Sequence, residues 1–321
     1  MNSRSLLRVL STLVCSSVAC LPLTSEAVVS IGGFTVVGFT DHDNAYISDN
    51  GTANPLDDVY GDTFSIAAME DILPGTVVYF TGNGWHSASG QFRGATTTNG
   101  AGLEALIKLT ITTTVAAGSV LRSGFDDVGI TWDYSSLVPG ADGSSSLDFY
   151  SLLNLPSGDG GQIYGFQASG TNFPLMNVAN HVSVFDFGDF LSPGFEDAVD
   201  NATGNIPPGL SLLDHSAIEF PDPAFGNDAN DFHNGSFALN MFDDDVAALL
   251  VSGGTKAQWL ALIADPSNWL RYNFEDIGIG PNDGDAEDEL AALTFGMVPE
   301  PSRAMLSLIG LISLHLRRRR R

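Results

Sequence analysis

Short runs of β-branched and aromatic residues, cut off every few positions by Gly, Asn, Asp, Ser or Pro, set the limits on what this 321-residue chain can fold into. Leu106 to Thr112 alternates apolar and polar side chains, the period of a strand with one face buried. Val77 to Thr81 is β-branched and aromatic and follows Pro74-Gly75, a turn dipeptide. Further strands are expected at Thr63–Met69, Gln162–Gln167, Val182–Phe187, Ser216–Phe220, Ser236–Phe242 and Leu290–Phe295. Two stretches read as helical. Asp243–Val251 carries acid at its start, where the helix dipole favours it. Thr255–Ala264 opens on a candidate N-cap and sets Ala257, Leu260 and Ala261 on one face. Many short strands joined by polar loops predict an all-β fold, an antiparallel β-sandwich with one or two short helices. No regular repeat is present, which argues against a solenoid or propeller.

The two ends of the chain have a different composition. Arg4 and Arg8 precede an apolar stretch from Val9 to Leu23, and Ser25-Glu26-Ala27 has the small-x-small pattern of a leader cleavage site. Residues 1–27 are therefore expected to be a signal peptide, with the mature chain starting at Val28. A competing lipobox at Ser17-Val18-Ala19-Cys20 lacks the usual leading Leu. Cys15 and Cys20 both lie in this leader, so the mature chain has no disulfide, no cysteine nucleophile and no thiolate metal site.

Residues 298–321 form a three-part tail. A motif at 298–303 contains Pro299, Glu300 and Pro301, an extended stretch that cannot continue a helix. An apolar segment follows at 304–316, then Arg317, Arg318, Arg319, Arg320 and Arg321, a block that stays on the cytoplasmic side of a bilayer. As a helix the apolar segment spans about 20 Å, short against a hydrocarbon core of roughly 30 Å. A transient membrane device tolerates this better than a permanent anchor does. The tail resembles the PEP-CTERM sorting signal of bacterial surface proteins. That resemblance implies an exosortase-type processing enzyme as partner, transient insertion into the inner membrane of a Gram-negative-type bacterium, and a destination at the cell surface or outside the cell. It also implies an association with exopolysaccharide.

Between these ends, residues 28–297 form the expected secreted β-rich domain, with five basic residues against 36 acidic ones, a net charge of −31. Phosphate backbones and anionic membrane surfaces need clustered Lys and Arg, so nucleic acid is excluded as a partner. High solubility and an affinity for cations are expected instead.

The run from Asp62 to Trp85, containing Ile72-Leu73-Pro74-Gly75-Thr76 and Tyr79-Phe80-Thr81-Gly82-Asn83-Gly84-Trp85, resembles a recurring bacterial secreted module related in style to lamin-tail-like β-sandwiches. Gly160 to Gln167 is similar to that module's Gly-Asp-Gln strand, and Thr255 to Trp269 to its late helix and turn. The resemblance covers Phe34 to Trp269 in patches, implies a β-sandwich and brings no catalytic residues with it. Gly82 and Gly84 stand where an acid is often seen in the module.

Catalytic signatures are sparse. Asp214-His215-Ser216 has the residue types of a hydrolase triad, but three consecutive residues cannot adopt the relay geometry. No Gly-x-Ser-x-Gly elbow, His-Glu-x-x-His or phosphate-binding glycine loop occurs. A secreted hydrolase would have to assemble its site from dispersed His42, His86, His181, His215 or His233 with carboxylates. Calcium is the one cofactor the oxygen-rich loops would suit, with Asp41 and Asp43 the best pair because alternate residues share a loop side. Asp57-Asp58 with Asp62, Asn227 to Asp231, Asp243 to Asp245 and Asn282 to Asp285 have the same composition, which Asx turns and caps also use. Trp85, Trp132 and Tyr134 beside polar loops would make a carbohydrate-stacking face if exposed, or sandwich anchors if buried. The expected function is that of an exported, non-enzymatic surface or matrix protein. The competing class is a secreted hydrolase acting on an extracellular polymer.

Overall fold

A computed structural model describes residues 27–40, 46–48, 59–60, 63–87, 89–92, 106–123, 129–133, 161–169, 177–187, 204–220, 235–273 and 294–298. In chain order the strands are β1 (Phe34–Thr40), β2 (Tyr46–Ser48), β3 (Val59–Tyr60), β4 (Thr63–Ala68), β5 (Val77–Thr81), β6 (Trp85–His86), β7 (Gln91–Phe92), β8 (Leu106–Ile111), β9 (Val120–Arg122) and β10 (Ile130–Asp133). They continue with β11 (Gly161–Ser169), β12 (Asn177–Phe187), β13 (Ala217–Phe220), β14 (Gly235–Leu239) and β15 (Trp269–Asn273). Two helices, α1 (Asp244–Ser252) and α2 (Lys256–Ile263), lie between β14 and β15.

The strands form a five-stranded sheet in the order β15-β14-β1-β4-β9 and a six-stranded sheet in the order β10-β8-β5-β11-β12-β13, with β2–β3 and β6–β7 as separate pairs. The antiparallel expectation fails at one place, because β12 and β13 run parallel with Val184 opposite Ala217. A parallel partner needs a crossover of a dozen or more residues, and the 29 residues from 188 to 216 supply that length.

Alternation along the strands sorts side chains to two faces. In β5, Val78 and Phe80 join the inter-sheet core, while Val77 and Tyr79 join a cluster on the other face. In β8, Ile107, Leu109 and Ile111 point to the core and Leu106 points away. Aromatic contacts tie the two sheets together. Phe39 of β1, stacked on Phe237 of its sheet neighbour β14 at 5.0 Å, reaches across to Phe185 of β12 at 5.9 Å. Phe64 of β4 meets Phe80 of β5 at 5.2 Å and Trp132 of β10 at 6.0 Å. Burying each such ring contributes about 1.5–3 kcal/mol. The result is sandwich-like, with one continuous core between the sheets.

β1 is the central strand of its sheet and has no legible alternation. Phe34 through Phe39 are all buried, and the register slips between Val36 and Gly38 at a bulge. Each helix has a specific cap. Asp243 accepts from the amides of Asp245 and Val246, and Thr255 forms a capping box with Gln258. The α2 face differs from expectation. Trp259, Leu260 and Ile263 are buried, while Ala257 and Ala261 are exposed. The indole prevails because it buries far more surface than two methyls, and its Nε1 donates to the Gly296 carbonyl at 3.1 Å.

Candidate functional site

Polar side chains gather at two places. The first is the outer face of the six-stranded sheet. Tyr164 and Phe166 of β11, Tyr79 of β5 and Val184 of β12 form a second cluster there, covered by Trp85 and Phe92 of the β6–β7 hairpin. The cover fits closely, since a Cβ on Gly204 would stand 2.3 Å from the Trp85 amide nitrogen. Beneath it, the Tyr164 hydroxyl donates to Gln162 Oε1 at 3.0 Å and lies 3.2 Å from the Asn205 carbonyl. Gln162 Oε1 also accepts from the Gly204 amide at 2.8 Å. Burial, and then the charge of Asp186, push the Tyr164 hydroxyl well above its usual value. The His181 ring stands against Trp85 at 4.5 Å and Phe92 at 6.2 Å. Burial lowers its pKa to about 4, so the ring is neutral at pH 7. Trp85 Nε1 and His181 Nδ1 are both buried with no hydrogen-bond partner among the described residues.

The second place is a cleft where both ends of the described chain meet. Lys256, on the first turn of α2, directs its ammonium to Ser30 Oγ at 2.8 Å and the Ile31 carbonyl at 2.6 Å, with Glu70 at 3.8 Å. The Ser30 hydroxyl donates to Glu70, which also accepts the Ser30 amide at 2.7 Å. Ser, Lys and an acid are residue types of hydrolytic dyads. Here the Lys256 nitrogen donates to two oxygens and lies near a third, while the Ser30 hydroxyl donates to Glu70. The arrangement ties the first residues of the body to α2. Just upstream, the Gln167 side-chain amide accepts from the Val29 amide and donates to the Ala27 carbonyl, each at 2.9 Å. Asn180 donates to the Val29 carbonyl at 2.7 Å.

The C-terminal side of the cleft is held as firmly. The Phe295 amide donates to the Gly118 carbonyl at 2.8 Å, Gly254 to the Gly296 carbonyl at 2.7 Å, and Val298 to the Gly254 carbonyl at 2.8 Å. Phe295 packs edge-on against Trp259 at 4.7 Å. Gly118 has φ +90°, and a Cβ there would lie 1.9 Å from the Phe295 carbonyl oxygen, so the approach requires glycine. Between the two ends lies a cavity of about 530 Å³, lined by Glu70, Asp71, Ala117, Lys256, Met297 and Val298 among others.

Several residues singled out in the sequence lie outside the described residues. These are Asp41, Asp43, His42, His233 and Tyr134, the acidic groups at 57–58, 62, 227–231 and 282–285, and Pro299, Glu300, Pro301 and Arg317 to Arg321. Of the acidic loops, Asp243 to Asp245 is described and acts as a helix cap. Among the described residues no group of three or more His, Asp or Glu is arranged to hold a metal, and no helix is long and apolar enough to cross a membrane. Trp85 and Trp132 are 5% and 6% exposed, so they are packing anchors and offer no stacking face. Asp214 to Ser216 is a turn. The Ser216 hydroxyl donates to Asp214 at 2.6 Å, and His215 takes a left-handed φ of 57°. His86 pairs with Ser89 of its own turn at 3.1 Å, and His181 is buried against Trp85.

The Ser30–Glu70–Lys256 latch had no local signal, because its members lie 40 and 226 positions apart along the chain. Compared with known proteins, the chain matches no family model, no curated protein and no solved structure.

Proposed function

We propose that this is an exported, non-enzymatic surface or matrix protein, sorted by an exosortase-type system and associated with exopolysaccharide. Its body, residues 28–297, is an antiparallel-type β-sandwich of the lamin-tail-like style, preceded by a signal peptide at 1–27 and followed by a PEP-CTERM tail at 298–321. The observation that carries this reading is the order of the tail: Pro299-Glu300-Pro301, apolar segment 304–316, then five arginines. The apolar segment enters the inner membrane, the arginines hold the end in the cytoplasm, and the motif is left on the far side for cleavage. Body charge supports release after cleavage, because a net −31 is repelled by anionic lipid. Ser30 and Lys256 are engaged in holding the start of the body to α2, a structural use that fits the non-enzymatic part of the reading.

Intact mass and C-terminal sequencing of protein recovered from the native surface or medium test the reading. A chain ending within or near the Pro299–Pro301 motif is expected. A chain still ending at Arg321 in the inner membrane would mean a plain tail anchor and end the proposal. We further propose a structural calcium ion at the Asp41–Asp43 loop. A chelator is then expected to lower the melting temperature, and an unchanged melt removes the ion.

A further inference from the structure

The cleft at the chain ends fixes where the tail departs. Residues 294–298 are bound by the backbone of Gly118 and Gly254 and by the Trp259 ring, and Val298 is immediately followed by Pro299. Five residues, 299–303, then separate the fold from the apolar segment at 304. Even fully extended, they cover only about 17–18 Å at 3.3–3.6 Å each. A peptidase that acts at the membrane and holds this stretch as an extended strand has little room. Its walls must meet the body around Val298.

The surface it meets is concave. The cavity of about 530 Å³ combines apolar Met297 and Val298 with Glu70, Asp71 and Lys256, and Val298 itself is 45% exposed. Val251, near the end of α1, is 90% exposed two residues before Gly253, whose missing side chain leaves room for Val298. Specific interfaces combine apolar and polar groups on one surface. Lys256 lies 3.8 Å from Glu70, whereas Asp71 is exposed, so a cationic side chain carried on an apolar stem finds its counter-charge in the cavity at Asp71.

Resting on the sorting reading above, we propose that this cavity is a docking surface for the membrane-bound peptidase that processes the tail, which inserts a Lys or Arg beside Asp71. The short reach and the anchored exit at Val298 then serve to present the motif in register with the docked enzyme. A peptidase that recognised the tail alone would gain nothing from either.

The test follows release of the full-length chain in its native cell, read by intact mass. Two variants probe the cavity: Ala117→Trp fills it, and Asp71→Asn removes charge while keeping an oxygen for the Ala117 amide that Asp71 now holds at 2.9 Å. A third chain carries a flexible Gly/Ser spacer of about ten residues between Val298 and Pro299. Each cavity variant is expected to slow release several-fold with an unchanged melting temperature. The spacer alone is expected to slow release and to make the cavity variants indistinguishable from their parent. Release insensitive to both variants, or faster with the spacer, overturns docking while leaving the sorting reading intact. Binding of the released body to phosphatidylglycerol vesicles, or a dimer in sedimentation that Ala117→Trp dissolves, would assign the surface to lipid or to a second copy instead. A parent chain that is never cleaved removes the sorting reading itself.

Discussion

The six-stranded sheet has two buried faces built on different principles. Its inner face meets the other sheet through apolar rings such as Phe80 and Phe185, with Phe64 and Phe39 opposite them. Its outer face is closed by a hairpin and the segment around Gly204, and there Phe92 and Phe166 are joined by rings that carry polar atoms: Tyr164, His181 and Trp85. The inner face derives its stability from area and dispersion, which tolerate small changes in direction. The outer face adds the hydrogen bonds of the Tyr164 hydroxyl and two buried ring nitrogens, Trp85 Nε1 and His181 Nδ1, with no partner among the described residues, so it is more sensitive to pH.

Removing a ring should separate the two faces most strongly. Phe64→Ala is expected to cost about 3–5 kcal/mol in urea unfolding, because a fully buried ring is lost between the sheets. A loss near 1 kcal/mol would mean that the sheets close over the gap and that the inner face is the looser one. Tyr164→Phe should cost about 1–2 kcal/mol. The ring stays, but the Gln162 oxygen and the Asn205 carbonyl lose their shared donor.

A pH titration sharpens the comparison further. His181 binds a proton less readily folded, at about 4, than unfolded, near the ordinary 6.5. Stability contributed by the neutral ring is whole above about pH 6.5 and drains away as the pH falls toward 4. Unfolding midpoints should fall between pH 7 and pH 5, and His181→Gln should flatten that fall. An unchanged slope in the variant would locate the acid sensitivity elsewhere. The smallest effect is expected away from both faces, at the α2 cap: Thr255→Ala should cost about 1 kcal/mol in a thermal melt, through loss of its box with Gln258.

Where sequence reasoning succeeded, local physics was sufficient. Val77–Thr81 coincides with β5, and Leu106–Thr112 gives β8 to within one residue. Thr255 caps α2 as its side chain suggested. β1 was not legible because both its faces are buried and Gly38 interrupts it at a bulge, leaving no period to read. Ser236–Phe242 overran β14, since the strand stops at Leu239 and Asn240 turns the chain by accepting the Phe242 amide. At the cleft, Gln167, Glu70 and Lys256 are single polar residues in unrelated elements. Only the folded chain brings them to the segment from Ala27 to Ile31.

The attachment of residues 294–298 also has a mechanical meaning. Any pull on the tail enters the body at Val298, and its first resistance is the hydrogen bond from that amide to Gly254. Next in line are the two bonds that the Gly296 carbonyl accepts, from the Gly254 amide and Trp259 Nε1, then the Gly118–Phe295 bond and the Phe295 ring seated on Trp259. Neither large sheet has to shear until these have parted. Before the tail is cut, drag on it would therefore peel a five-residue strip first, leaving both sheets intact.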